Sequence, residues 1–171
     1  MPIHSSQELL AVKLRHIEDA ETQAAPVLQE MRDQVENADL QELLDRRIQE
    51  GEMVLQGVRD ALPQMAAHSD AMPENLAARG IVQEARSFLS EIEEPQLRQA
   101  VAIGSIQSLE HYCLATWGTV KALAEEMGQQ RVVDTMQRAL DSAKQLDQDL
   151  TDIAEGWVNP EALQADQEQQ Q

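Results

Sequence analysis

The chain has 171 residues, about one domain's worth, and only four of them are aromatic, so a core drawn from its 42% hydrophobic content consists mostly of Leu, Ala, Val, Ile and Met. Thirteen basic residues against 31 acidic ones give a formal net charge of −18, which repels phosphate backbones and anionic lipid and argues against nucleic-acid or membrane-surface binding. Seven glycines and six prolines supply too few turns for an all-β sandwich or barrel, and the single Cys113 excludes an internal disulfide or a cysteine-rich zinc site.

In chain order, Ser5-Ser6-Gln7-Glu8 reads as a capping box. A helix from about 6 to 35 follows, with Leu10, Leu14, Ile17, Ala24, Leu28, Met31 and Val35 at spacings of three and four and an interruption at Pro26. Asn37 or Asp39 caps a second helix to about residue 66, with Pro63 bending or fraying its last turn. The segment 66–72 reads as a loop, and Pro73 suits the start of a shorter third helix over 74–92. Pro95 opens a fourth over 96–127, closed by Gly128 at C′. A fifth runs over 129–156 and is stopped by Asn159-Pro160, leaving 159–171 as a Gln-rich, disordered tail behind a domain at 1–158. Five helices and no strand pattern mean an all-α bundle. Four long helices joined by one long central crossover match the ferritin-like arrangement, although a plain helical bundle stays open on these grounds.

The acids that interrupt the apolar seams carry the functional signal. Glu21 stands on the first helix's seam, Glu84 between Ile81 and Phe88 on the third, Glu110 on the fourth, and Asp147 between Ala143 and Leu150 on the fifth. Glu50 flanks the seam of the second. A buried carboxylate is costly unless it is paired, protonated or metal-bound. Two explanations compete: a carboxylate-bridged iron or manganese pair inside the bundle, or acids that reach a seam by frequency and sit at its wet edge. Arg47, one turn before Glu50, is the most obvious inward cation.

The stretch Ser108-Leu109-Glu110-His111-Tyr112-Cys113-Leu114-Ala115-Thr116-Trp117-Gly118-Thr119 resembles the YciE/YciF-type ferritin-like proteins, as do the pieces around Ala20-Glu21-Thr22-Gln23, Gly80-Ile81-Val82-Gln83-Glu84-Ala85 and Leu150-Thr151-Asp152-Ile153-Ala154. The resemblance implies a ferritin-like four-helix bundle with a short extra helix in the crossover, a homodimer, a bacterial stress role, and a two-metal site of iron or manganese held by Glu21, Glu50, Glu84 and Glu110 with Asp147 nearby. The chain departs from the family pattern at three ligand positions. The usual His-x-x-Glu-Thr is Arg47-Ile48-Gln49-Glu50-Gly51, the second Glu of Glu-His-Tyr-Glu is Cys113, and the fifth helix's Glu pair is Ser142-Ala143. The departures predict one weakly held ion or none, with Arg47 pairing Glu50 or a neighbouring acid.

His111 follows Glu110 directly and points about 100° away on the helix, as a surface or inter-helix residue would. Cys113 fits a small core residue better than a catalytic thiol. No Ser/His/Asp set, phosphate-binding Gly loop or basic aromatic patch is visible, so no enzyme class is assigned. No run approaches the roughly 20 apolar residues of a membrane span. The first residues lack a signal peptide's basic and apolar regions, and a cytoplasmic location is expected.

Overall fold

A computed structural model describes residues 2–65 and 74–169. Its elements are α1 (Ser6–Gln34), α2 (Ala38–Ala61), α3 (Leu76–Glu91), α4 (Pro95–Glu126), α5 (Gln130–Ile153) and α6 (Asn159–Gln169). There is no strand among the described residues. The expected loop at 66–72, with His68, and the expected helix start at Pro73 lie outside the described residues.

The helix ends follow local chemistry. Ser5 Oγ accepts from the Glu8 amide at 3.1 Å, while Glu8 reaches back to the His4 amide at 2.7 Å, satisfying donors that the first turn leaves orphaned. Asn37 caps α2 through the Leu40 amide at 2.8 Å. Pro63 ends α2 by tightening it into a 3₁₀ turn at Leu62–Gln64. Gly128, at φ +65°, closes α4: the Gln129 amide donates to the Ala124 carbonyl and the Gly128 amide to the Glu125 carbonyl, the paired bonds of a Schellman motif.

Asn159-Pro160 does not stop the fifth helix. The chain passes through a π-helical turn at Ala154–Val158, next to Gly156, and continues as α6. Proline is tolerated there because it falls in the first turn of the new helix. Val158 and Ala162 are buried, and α6 packs on α4. The tail expected to be disordered from 159 is therefore helical through Gln169.

Contacts fix the topology. Arg32–Asp45 and Arg59–Glu18 run α1 antiparallel to α2. Arg46–Asp149 and the close approach of Gly57 to Thr135 run α2 antiparallel to α5. Gln107 and His111 both reach Asp147, which with Gln107–Thr151 sets α4 antiparallel to α5. α2 and α4 are thus parallel, and only a crossover the length of the bundle can join them. α3 lies in that crossover, against α1 and α4. Its seat is Asn75, which caps Ala78 through Oδ1 and donates through Nδ2 to the His16 carbonyl (2.9 Å) and the Tyr112 hydroxyl (2.6 Å). The buried core is Leu, Ala, Val, Ile and Met with a single large aromatic, Trp117.

Candidate functional site

At mid-bundle the apolar core is interrupted by four charged side chains. Glu21 from α1, Arg47 and Glu50 from α2 and Glu110 from α4 are all buried, Arg47 at 1% exposure and Glu110 at 0%. The guanidinium is the hub. Its Nη1 and Nη2 donate to Oε2 and Oε1 of Glu21 at 3.0 and 3.1 Å, a two-pronged fork. Its Nε donates to Oε1 of Glu110, and the group lies 5.7 Å from the centre of the Trp117 ring. Cys113 Sγ completes the circle, 3.8 Å from Arg47 Nη2 and 3.7 Å from Glu21 Oε1. Gly51 leaves the space this requires: a Cβ there would stand 2.7 Å from Glu21 Oε2 and 2.9 Å from Arg47 Nη1.

The electrostatics follow from burial and partners. Desolvation works against the Arg47 charge, but Glu21 and Glu110 outweigh it and hold the guanidinium firmly protonated. Burial pushes the Glu110 carboxyl up from its ordinary range, with Arg47 opposing and the other two acids reinforcing. Burial also raises Glu50, against a hydrogen bond from Ser142 and the Arg47 charge. The Cys113 thiol is pushed well up by burial and by Glu21, which makes it a protonated core group and not a nucleophile. One oxygen, Glu110 Oε2, is buried with no hydrogen-bond partner.

The family profile for a domain of unknown function, DUF892, matches residues 5–163. The chain belongs to the DUF892 family. It is 33% identical over 87 residues to the protein YciF of Escherichia coli K12, a match that spans about half of each chain, 51% of this one and 52% of YciF. The crystal structure of that E. coli stress protein superposes with a TM-score of 0.83 at 23% identity, covering 92% of this chain and 99% of the other. YcfI of Rhodopseudomonas palustris, provisionally titled a structural protein, superposes with a TM-score of 0.79 at 27% identity, covering 87% and 94%. The fold is thus the all-α, ferritin-like bundle of the YciF type.

Within this DUF892 bundle the five expected metal-site acids divide. Glu21, Glu50 and Glu110 converge around Arg47. Glu84 does not: α3 packs through Ala78, Val82, Ala85 and Leu89, a face rotated by one position from the expected seam, and Glu84 is left exposed. Asp147 is also apart. Leu146 takes the inward position on α5, and Asp147 stands at the α4–α5 edge, bonded to Gln107 Nε2 at 3.0 Å and His111 Nε2 at 3.2 Å. Of the expected partners, Glu50 or a neighbouring acid, Arg47 forks the neighbouring acid Glu21. The residues present do not fit an iron or manganese pair. Both oxygens of Glu21 and one of Glu110 are committed to a fixed cation, and among the described residues no group of three or more His, Cys, Asp or Glu side chains is placed to hold a metal. Sequence reasoning missed Asn75 and Ser142. An Asn before an apolar run is a helix-start signal that points to Asn75; nothing in the one-dimensional pattern points to Ser142.

Proposed function

We propose that this DUF892 member is a metal-independent, stress-associated bundle protein whose carboxylate core is neutralised by Arg47 instead of by an iron or manganese pair, and which works as a structural or partner-binding homodimer. The observation that carries the reading is the guanidinium itself, forking Glu21 and bonding Glu110 where bridging ions would otherwise be needed. A buried arginine with its carboxylates holds the three helices α1, α2 and α4 in register, and the inert Cys113 thiol offers no redox group. The provisional title of the R. palustris relative agrees with a structural role. No helix among the described residues is long and apolar enough to cross a membrane, which accords with a cytoplasmic protein.

Elemental analysis of protein purified without chelators tests this directly. Iron and manganese should each fall well below one ion per chain, and EDTA should leave the unfolding midpoint unchanged. About two ions per chain, lost together with stability on chelation, would overturn the reading. Light scattering tests the dimer. Because each chain carries −18, association should strengthen with salt, and a monomer at every ionic strength would refute it.

A further inference from the structure

The sequence opens Met1-Pro2-Ile3-His4, and residues 2–4 lie exposed ahead of α1. Proline is small enough, as a second residue, for a methionine aminopeptidase to remove an initiating Met1. Water cleaves the Met1–Pro2 amide, its hydroxyl going to the methionine carboxyl and its hydrogen to the Pro2 nitrogen. Pro2 is then a free secondary amine, and His4 stands third from the terminus. At that spacing the terminal amine, the next two backbone amides and an imidazole Nδ1 close small, unstrained chelate rings round a single ion. Proline suits only the first of the three positions. Inside a chain it has no amide hydrogen to give up, but at a terminus its nitrogen still coordinates. Ile3 and His4 both carry the backbone N–H that the ion must displace.

We propose that the chain that starts at Met1, once that methionine is removed, holds one Cu(II) or Ni(II) ion. Its ligands are the Pro2 amine, the Ile3 and His4 amide nitrogens and His4 Nδ1. Four nitrogens in one plane match the square-planar preference of these two ions. Binding expels a proton from the terminal ammonium and one from each amide, so affinity rises with pH. Iron(II), manganese(II) and zinc do not ionise backbone amides near neutral pH, which keeps this site selective. The His4 amide already has a partner, donating to Glu8 Oε2 at 2.7 Å. The metal replaces that proton and undoes this half of the capping box, while Ser5 Oγ keeps its bond from the Glu8 amide at 3.1 Å. The net charge of −18 draws divalent cations towards the chain. The Arg47 cluster plays no part in this site, so either can fail alone.

The test is Cu(II) titration of the full chain, expressed from its own Met1 with no tag ahead of it and followed by visible absorption. Intact mass should show the chain short of one methionine. One copper ion per chain should develop the d–d absorption of a four-nitrogen plane, and excess Zn(II) should not displace it. His4→Ala should weaken copper at least about a hundredfold, since losing even an outer-shell partner of a metal ligand costs up to that much. Pro2→Glu, whose bulk keeps Met1 in place and moves His4 to fourth, should lose as much. Both changes lie outside the helices, and circular dichroism checks that the bundle is intact. Glu8→Ala, which frees the His4 amide, should bind copper at least as tightly as the unmodified chain. Retention of Met1 in the unmodified chain, or copper bound as well after His4→Ala or Pro2→Glu, would overturn the proposal. Weaker binding after Glu8→Ala would also overturn it, by making Glu8 a ligand in place of an amide. Each of these leaves the metal-free centre standing, whereas about two iron or manganese ions per chain would overturn that centre and leave this site untouched.

Discussion

The centre of the bundle and its α4–α5 edge treat their acids differently. Around Arg47, three carboxylates lie in the dry centre, and the geometry is strict: a forked pair, a third bond through Nε, and a glycine cut away to make room. Asp147, at the α4–α5 edge, is 28% exposed, and its carboxylate is bonded by His111 and by Gln107, which also reaches the Thr151 hydroxyl. An acid beside a helical seam carries chemistry only if the packing rotates it inward. Where a leucine one position earlier can take the inward place, as Leu146 does, the acid is left at the edge.

The largest test of that contrast is Arg47→Met. It strands Glu21 and Glu110 without a cation and should cost about 3–5 kcal/mol, as breaking buried pairs does, read from urea unfolding. A loss under 1 kcal/mol would mean the guanidinium is not the hub. Next is Gly51→Ala. On an open helix surface this change adds stability, and Gly104→Ala, whose Cβ would meet nothing within 4 Å, should gain up to about 1 kcal/mol. At Gly51 the same methyl meets a Glu21 oxygen and an Arg47 nitrogen locked in a fork, so about 1–3 kcal/mol should be lost; equal effects at the two sites would erase the distinction.

Glu110→Gln should be smaller, neutral or slightly stabilising near pH 7. Glutamine can still accept from Arg47 Nε, and it removes one of the excess charges. Glu110 and Glu50 both have folded-state values raised above the ordinary carboxylate range, chiefly by burial. Their contribution to stability is therefore fully present below about pH 4.5 and is lost as pH rises through the raised folded values. The Gln variant should show a shallower fall in stability over that window, measured by melting across pH; an unchanged slope would assign the pH dependence elsewhere. At the edge, Asp147→Asn should change stability by no more than about 0.5 kcal/mol, and a loss of several kcal/mol would show that edge and centre are one network.

The helices and their order were legible because four of them carry long seams of period 3.6, and the crossover because its helix was short and flanked by prolines. The inward direction of Glu21 and Glu110 was legible for the same reason: each stands where the neighbours one turn away on either side are fully apolar. Glu84 and Asp147 were not. On each helix the apolar residue beside the acid takes the inward place, Ala85 beside Glu84 and Leu146 beside Asp147, so the buried face lies one position off the seam read from the sequence. The continuation through Pro160 was hidden because a π turn adds a residue that no periodic template anticipates.

Gly51 carries one more consequence. The related pattern His-x-x-Glu-Thr becomes Arg47-x-x-Glu50-Gly51 here, and the two changes are complementary in volume: a longer cation fills the centre, and the residue one turn on gives up its whole side chain to accommodate it. Either change alone is a poor fit, since arginine beside threonine would collide and histidine beside glycine would leave a hole. The two substitutions should therefore travel together, and an Arg-x-x-Glu-Gly string on the second helix serves as a short written marker by which other bundles with an arginine-filled centre can be picked out from sequence.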